Sequence, residues 1–409
     1  MENFINEIDV LSARNVNDLK IPLSSHKRQH LIITGKNGSG KTSLLLEVRK
    51  FLHRLDALGQ NPSNSQKIIH FKESFDKKAF FESNNVSKGN DIFLFESYVR
   101  EFGGTMIDFS NTYEKIQEKI FKGEFVLAYF SAKRDVKMDV PNGIKKLDLK
   151  KRYQLHEKVN NDFIQFIVNL TADRSFARDD NEKDVVLKID EWFVRFENRL
   201  KTLFNDENLK LKFDRKKYNY TIEGGQGEPF NFNTLSDGYS AIISIVSELL
   251  LRMEGYGSKA YDLEGVVIID EIETHLHVEL QKAVLPFLID FFPRIQFIVT
   301  THSPFVLSSI SNATICDLEF RLVTNDLTSY SYDALIESYF GIDKYSNEVK
   351  SKVSQYEILL DKSELNENEL ENLRELRHYF DHSPKFLSPE LLVKLQEIKL
   401  KEIVKKKKK

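Results

Sequence analysis

Cysteine is almost missing from this 409-residue chain: Cys316 stands alone. An intrachain disulfide is therefore excluded, which suits a reducing compartment, and a lone cysteine is expected to behave as a small buried apolar residue. Long apolar runs are missing too. No stretch approaches the roughly 18 residues of a membrane span, and the polar start Met1-Glu-Asn does not read as a signal peptide. A cytoplasmic location without a membrane partner is expected, and a membrane transporter would need separate membrane subunits. Neither sign of charge dominates. A formal net charge of −3 gives no bulk attraction to nucleic acid, though a local basic face can still bind it. Heptad runs and internal repeats are not seen either, which excludes an extended coiled coil.

What is present is an ordinary globular balance, 41% hydrophobic against 30% charged residues, with length for two domains or one large core carrying insertions. The stretch that organises it is Leu31-Ile-Ile-Thr-Gly-Lys-Asn-Gly-Ser-Gly-Lys-Thr-Ser-Leu-Leu-Leu46. A short apolar run reads as a buried strand and the segment after Lys41 as a helix. Between them lies Gly35-x-x-x-x-Gly40-Lys41-Thr42, the phosphate-binding loop pattern. Gly35, Gly38 and Gly40 let the backbone aim successive N–H groups at a phosphate, and Asn37 and Ser43 belong to the same cradle. The helix N-terminus adds partial positive charge. Lys41 is expected to reach the β- and γ-phosphates and the Thr42 hydroxyl to ligate Mg²⁺.

Along the chain, residues 4–23 read as two antiparallel strands, and the helix after Thr42 runs through Leu55 to a polar loop at Gly59–Ser65. Ile68–Phe71 reads as a strand, and 75–90 shows no clear period. From Asp91 to Asn205 the pattern is mainly helical around one compact apolar strand, Phe125–Phe130, which ends in Ser131-Ala-Lys-Arg134. Helices are expected over Leu155–Leu170 and Val185–Phe204, separated by a charged break at 173–182. The aromatic stripe of the second is expected to be core. Leu209–Ile222 alternates as a hairpin.

The other half of the site follows. Gly265-Val-Val-Ile-Ile-Asp-Glu271 reads as a fully buried parallel strand with two acids at its carboxyl end. Asp270 is placed to hold the metal and Glu271 to polarise the attacking water. Ile295–Thr301 is a second such strand, ending in His302, an imidazole placed to contact the γ-phosphate or the water. Thr234-Leu-Ser-Asp-Gly-Tyr239 begins a strongly apolar helix, and Ser236 with the bare N–H groups near Gly238 forms an anion site.

In this order the motifs resemble an ABC-type ATPase of the SMC/RecF-like branch, closest to the OLD-family and AAA-type bacterial anti-phage ATPases. Leu235–Gly238 is similar to the Leu-Ser-Gly-Gly-Gln signature, with Asp237 and Tyr239 as departures. Asp-Glu-x-Glu-x-His-Leu-His (270–277), Thr-His-Ser-Pro (301–304) and Tyr-Phe-Ser-Ala-Lys-Arg134 also resemble that group. The resemblance covers roughly residues 1–320, and about 115 of them are unmatched in detail. It implies ATP and Mg²⁺ as cofactors and a homodimer in which the signature of one subunit closes over the phosphate loop of the other. Arg134 falls near the site without a definite role, and Asp237 in place of glycine crowds the closing contact.

The expected fold is therefore α/β: an ABC-type P-loop ATPase head with a mixed sheet, flanking antiparallel strands, a helical insertion and a helical C-terminal region. Its segments are 1–90 (first ATPase part), 91–205 (mainly helical insertion), 206–325 (second ATPase part) and 326–409 (helical, with a lysine tail). The expected function is an ATP-driven switch serving as sensor or scaffold of a bacterial defence system, with a separate effector nuclease or toxin. One alternative is a RecF-like DNA-repair ATPase, for which nucleic acid would be the partner. Another is a self-contained nuclease acting through Arg377 and His382. No strand ending in Asp-x-Asp follows Pro304, so a TOPRIM nuclease is not expected. His275 and His277 are expected to pack or touch a subunit rather than bind metal. Lys405–Lys409 is expected to be a solvated tail, and the C-terminal helices to serve assembly or effector docking.

Overall fold

The computed structural model describes residues 2–57, 63–82, 89–134, 137–225, 228–256, 262–336, 347–362, 365–381, 393, 396–398 and 400. The chain divides into two compact units, Met1–Tyr330 and Ser331–Lys409. Among the described residues no helix is long and apolar enough to cross a membrane. Residues 59–62, His382 and the Lys405–Lys409 tail lie outside the described residues.

The first unit opens with β1 (Ile5–Ala13) and β2 (Val16–Pro22), then β3 (His30–Thr34) and α1 (Lys41–Ala57). Next come α2 (Ser63–Ser74), α3 (Lys77–Glu82), α4 (Gly89–Phe102), β4 (Thr105–Phe109), α5 (Tyr113–Lys122) and β5 (Phe125–Phe130). Largely irregular chain leads through a single 3-10 turn at Asn160–Asp162 to α6 (Phe163–Asp179), α7 (Lys183–Phe204) and the hairpin β6 (Lys210–Asp214) and β7 (Asn219–Glu223). The unit ends with α8 (Asp237–Glu254), β8 (Glu264–Ile269), α9 (Val278–Phe291), β9 (Ile295–Thr300), α10 (Pro304–Leu307), β10 (Ala313–Asp317) and β11 (Leu322–Asn325).

Six strands form the main sheet in the order β11-β10-β3-β9-β8-β5, parallel except for the edge strand β11. Every residue of β3, β8 and β9 is buried, which is why those segments read as continuous apolar runs rather than alternating ones. A second, antiparallel sheet has the order β2-β1-β4. Helix α1 touches both β1 and β4 on one side and β9 on the other. Its Leu44, Leu45, Val48, Phe51, Leu52 and Leu55 are all in the core between the sheets. Fixing α1 there fixes the loop that precedes it. Buried Gln296 links the sheets directly: its amide donates to the carbonyls of Ile5 and Gln29, and its oxygen accepts from Ile5 N–H.

The α6–α7 pair closes over an aromatic cluster of Phe163, Phe166, Trp192 and Phe196, so Trp192 and Phe196 of the α7 stripe are core as expected, while Phe193 and Phe204 are half-buried. Other expectations need correction. Ile68–Phe71 is not a strand but part of α2: Ile68, Phe71 and Phe75 are buried at helical spacing, and Phe71 stacks on Tyr98 of α4 at 3.8 Å. A four-residue apolar run cannot by itself tell the two apart. Helix α6 starts at Phe163 rather than Leu155, and the charged stretch from Asp173 stays helical to Asp179. Strand β4 was not anticipated within the helical stretch. Thr105, Ile107 and Phe109 face inward as it pairs with β1.

The second unit holds α11 (Tyr332–Ala334), α12 (Asn347–Asp361) and α13 (Glu367–Asp381). Tyr356, Leu359 and Leu360 meet Leu373, Leu376 and Phe380, with Tyr356 stacked on Phe380, while Leu370 stays exposed.

Buried His30 gives the first unit a pH response. Its Nδ1 accepts from Phe297 N–H at 3.1 Å, and burial, with Arg28 nearby, pushes its pKa down to about 3. An unfolded imidazole titrates near 6.5, so below that pH the unfolded chain binds more protons than the folded one. Stability is therefore fully present above pH ~6.5 and is lost as pH falls toward about 3, by at most about 1.4 kcal/mol per pH unit. His30→Asn keeps an acceptor and cannot titrate. Urea unfolding at pH 7.5 and 5.5 should show a larger loss for wild type than for the variant. Equal losses would refute the assignment to His30.

Candidate nucleotide site

Strand β3 ends at Thr34 and α1 begins at Lys41, so six residues must reverse direction in a small space. Gly35, Gly38 and Gly40 do this with φ of 131°, 83° and 104°, a region that side chains disfavour. At Gly35 space also excludes a side chain: a Cβ would lie 2.8 Å from Ser39 Oγ and 3.2 Å from the Glu319 nitrogen. Asn37 is exposed in the loop, and Thr42 and Ser43 lie in the first turn of α1. Lys41 is only 6% exposed, and its ammonium donates to the carbonyls of Gly35 at 2.8 Å and Lys36 at 3.1 Å. Burial lowers its pKa, opposed by the carboxylates of Glu271, Glu273, Asp270 and Asp317. A cation is thus held at the loop, facing a cluster of acids.

The acids come from the end of β8. Asp270 is 4% exposed, and its Oδ1 accepts from Thr300 Oγ1 at 2.6 Å and from Thr42 Oγ1 at 3.4 Å. The same Thr300 oxygen accepts from Glu271 N–H at 2.7 Å. Glu271 has a φ of 45°, left-handed for a residue with a side chain, and among the described residues its Oε2 accepts only a long bond from Thr274 Oγ1, 3.4 Å. His302 follows β9, and its N–H donates to Glu273 Oε1 at 2.5 Å. Burial, then the charge on Lys41, lowers the His302 pKa, opposed by the carboxylates of Glu273, Glu271 and Asp270. The structure therefore brings Lys41, Thr42, Asp270, Glu271 and His302 to one end of the parallel sheet.

Three residues take parts that sequence reasoning left unassigned. Arg134 donates to the carbonyls of Asp270 at 3.1 Å, Glu271 at 3.0 Å and Ile272 at 3.4 Å, gripping the backbone on which both acids ride. Burial lowers its pKa to about 10, which leaves it charged at neutral pH. Thr300 looks in sequence like one more β-branched strand residue. Glu273 was visible only as the third acid of Asp-Glu-x-Glu. Carbonyl and hydroxyl partners leave no spacing signal, and only the expected neighbourhood of Arg134 pointed here.

Ser236 and Gly238 lie at the start of α8, beside the turn that follows β8. Ser236 is exposed at the start of α8, and a Cβ on buried Gly238 would lie 3.0 Å from the His275 carbonyl and 3.2 Å from Leu280. Among the described residues no hydrogen bond joins this turn to the phosphate loop. Tyr239, a departure from the signature, stacks on Phe204 of α7 at 4.3 Å. His275 and His277 are exposed before α9, and no group of three or more His, Cys, Asp or Glu among the described residues is placed to hold a metal.

Residues 31–308 match the family model described as "AAA domain, putative AbiEii toxin, Type IV TA system". The chain belongs to this AAA-domain ATPase family. A "Septu protein PtuA" of Bacillus mycoides (strain KBAB4) is 25% identical over 92% of this chain and 50% of its own length. A "Retron Vc95 probable ATPase" of Vibrio cholerae serotype O1 biovar El Tor is 22% identical over 83% of this chain and 80% of its own. The chain thus spans about half the length of the Septu relative. A solved SMC head bound to the C-winged helix domain of ScpA aligns at 15% identity and a TM-score of 0.37, over 77% of this chain and 93% of that one.

The double use of the Thr300 hydroxyl has a testable consequence. Thr300→Val keeps the strand residue but removes the bonds that orient Asp270 and the Glu271 backbone. The Mg²⁺ concentration for half-maximal ATP hydrolysis should rise on the order of tenfold, the usual scale for a group that orients a metal ligand. Thr300→Ser should restore most of the loss. An unchanged Mg²⁺ dependence in the valine variant would show that Thr300 is only a strand residue.

Proposed function

We propose that this chain binds and hydrolyses ATP with Mg²⁺ as a homodimeric switch in a bacterial anti-phage defence system, acting through a separate effector protein. The observation that carries the chemistry is the approach of Thr42 Oγ1 to Asp270 Oδ1, 3.4 Å, beside the loop that anchors Lys41. These are two hard oxygens, one of them a carboxylate. Mg²⁺ characteristically takes one or two carboxylates from a protein and the rest of its shell from water and phosphate, so the pair fits that ion. When bound, the ion supplies neutralisation of charge between the β- and γ-phosphates.

The remaining steps belong to this chain's residues. Loop N–H groups, with Asn37 and Ser43, cradle the phosphates, and Lys41 turns its ammonium to the β/γ bridge. Thr42 and Asp270 hold the metal. Glu271, whose carboxylate accepts only the long bond from Thr274 among the described residues, accepts the proton of the attacking water. His302 donates to or accepts from the γ-phosphate or that water. Ser236 and Gly238 complete the loop of a second subunit, so each site is composite and hydrolysis is coupled to opening of the dimer. Support for that step is the family-wide resemblance together with the exposure of Ser236 and the absence, among the described residues, of a hydrogen bond from this turn to its own loop. Support for a defence role is the resemblance to anti-phage ATPases and the Septu and retron names of two relatives.

Lys41→Ala should abolish nucleotide binding. Glu271→Gln should bind ATP, lose hydrolysis by about 100-fold or more, and persist as an ATP-bound dimer in size measurements. Wild-type hydrolysis by Glu271→Gln would refute the catalytic assignment. Hydrolysis stimulated by duplex DNA, with a steep salt dependence, would favour a repair function over defence.

A further inference from the structure

The turn between β10 and β11 holds an aromatic ring beside the phosphate loop. Strand β10 runs parallel to β3 with Asp317 opposite Thr34, and Leu318 N–H donates to the Thr34 carbonyl at 3.0 Å. The turn therefore leaves the sheet at the same end as the loop and next to it. Three anchors set its shape. Asp317 Oδ1 accepts from the N–H groups of Glu319, 2.8 Å, and Phe320, 3.1 Å. The Glu319 carboxylate pairs with Lys36 of the loop at 2.5 Å. Arg321 donates to the carbonyls of Asn17 and Asp18 on β2, the latter at 2.8 Å. Between these anchors Phe320 is 63% exposed and makes no ring contact among the described residues. A phenyl ring fixed in water on a braced turn gains free energy only when something apolar covers it.

Sheet order says what reaches it. The acids Asp270 and Glu271 leave β8, two strands from β3 on one side, whereas β10 is the neighbour of β3 on the other. A triphosphate whose γ end meets those acids must run across the loop away from β8. Its nucleoside end then emerges on the β10 side, at the carboxyl ends of the strands. We propose that Phe320 packs against the base of the bound nucleotide. This rests on the reading of the loop as an ATP site. It assigns to the 318–321 turn the distinction between a nucleotide and a bare polyphosphate. Every base has an apolar face, so the contact adds affinity without selecting one base strictly.

Titration of the full-length protein with ATP and with inorganic tripolyphosphate, each with Mg²⁺, tests the assignment. Phe320→Ala should weaken ATP binding about tenfold, the scale of one base–aromatic contact, and leave tripolyphosphate binding unchanged. Phe320→Tyr should keep ATP binding close to wild type. Unchanged ATP affinity in Phe320→Ala overturns the proposal, and so does an equal loss for both ligands, which would mean that the ring supports the loop. Failure of the wild-type protein to bind either ligand would instead overturn the reading of the loop itself.

Discussion

Parallel pairing of β3, β9 and β8 is the constraint on which the site depends. Ile33 lies opposite Thr300, and Ile269 opposite Val299, so the three strands end within a residue of one another. Their next residues are Gly35, Asp270 and His302, give or take one position. No local preference of these segments would bring them together, since roughly 230 residues separate the loop from the acids. Burial on both faces sets the register: sliding one strand by a residue would move its side chains to the wrong layer and separate Thr300 from Asp270. The hydroxyl of Thr300 then converts strand register into the orientation of a carboxylate.

The turn after β8 pays for its position with backbone strain. Glu271 and His275 both adopt left-handed φ, 45° and 66°, without being glycine. Such residues persist only where the surroundings over-determine them. Here the surroundings are Arg134 on three successive carbonyls, Thr300 on Glu271 N–H, and Glu273 accepting from His302 N–H. Arg134 comes from the end of β5, the neighbour of β8, so the same parallel register that aligns the acids also aligns the cation that holds them.

The parts of this arrangement that were legible in sequence are those in which one segment carries its own chemistry. Glycines with Lys41 and Thr42, two acids after a buried run, and a histidine after another are local patterns with a local reason. The hairpins at 5–22 and 210–223 were legible from alternation and turn residues. Strand β4 and helix α2 were not, because each is decided by its partner. Thr105–Phe109 is a strand because β1 offers an edge, and Ile68–Phe71 is helical because Tyr98 and Phe75 sit where a helix can reach them. The parts played by Arg134 and Thr300 were hidden for a related reason: they act on backbone groups and on Asp270, and a backbone carbonyl has no letter in the sequence.

Adjacency of Asp270 and Glu271 does not make them equivalent. Asp270 is buried and accepts from two hydroxyls, which directs its charge at Thr42 and the loop and leaves it little freedom to turn. Glu271 is partly exposed, and among the described residues its side chain accepts only the long bond from Thr274. A group that must hold a fixed charge gains from the first environment. A group that must receive a proton and release it gains from the second, because each competing donor would have to be displaced before transfer. The left-handed backbone at Glu271 produces this difference. It turns the chain sharply at the strand end, so that consecutive acids face different surroundings instead of sharing one.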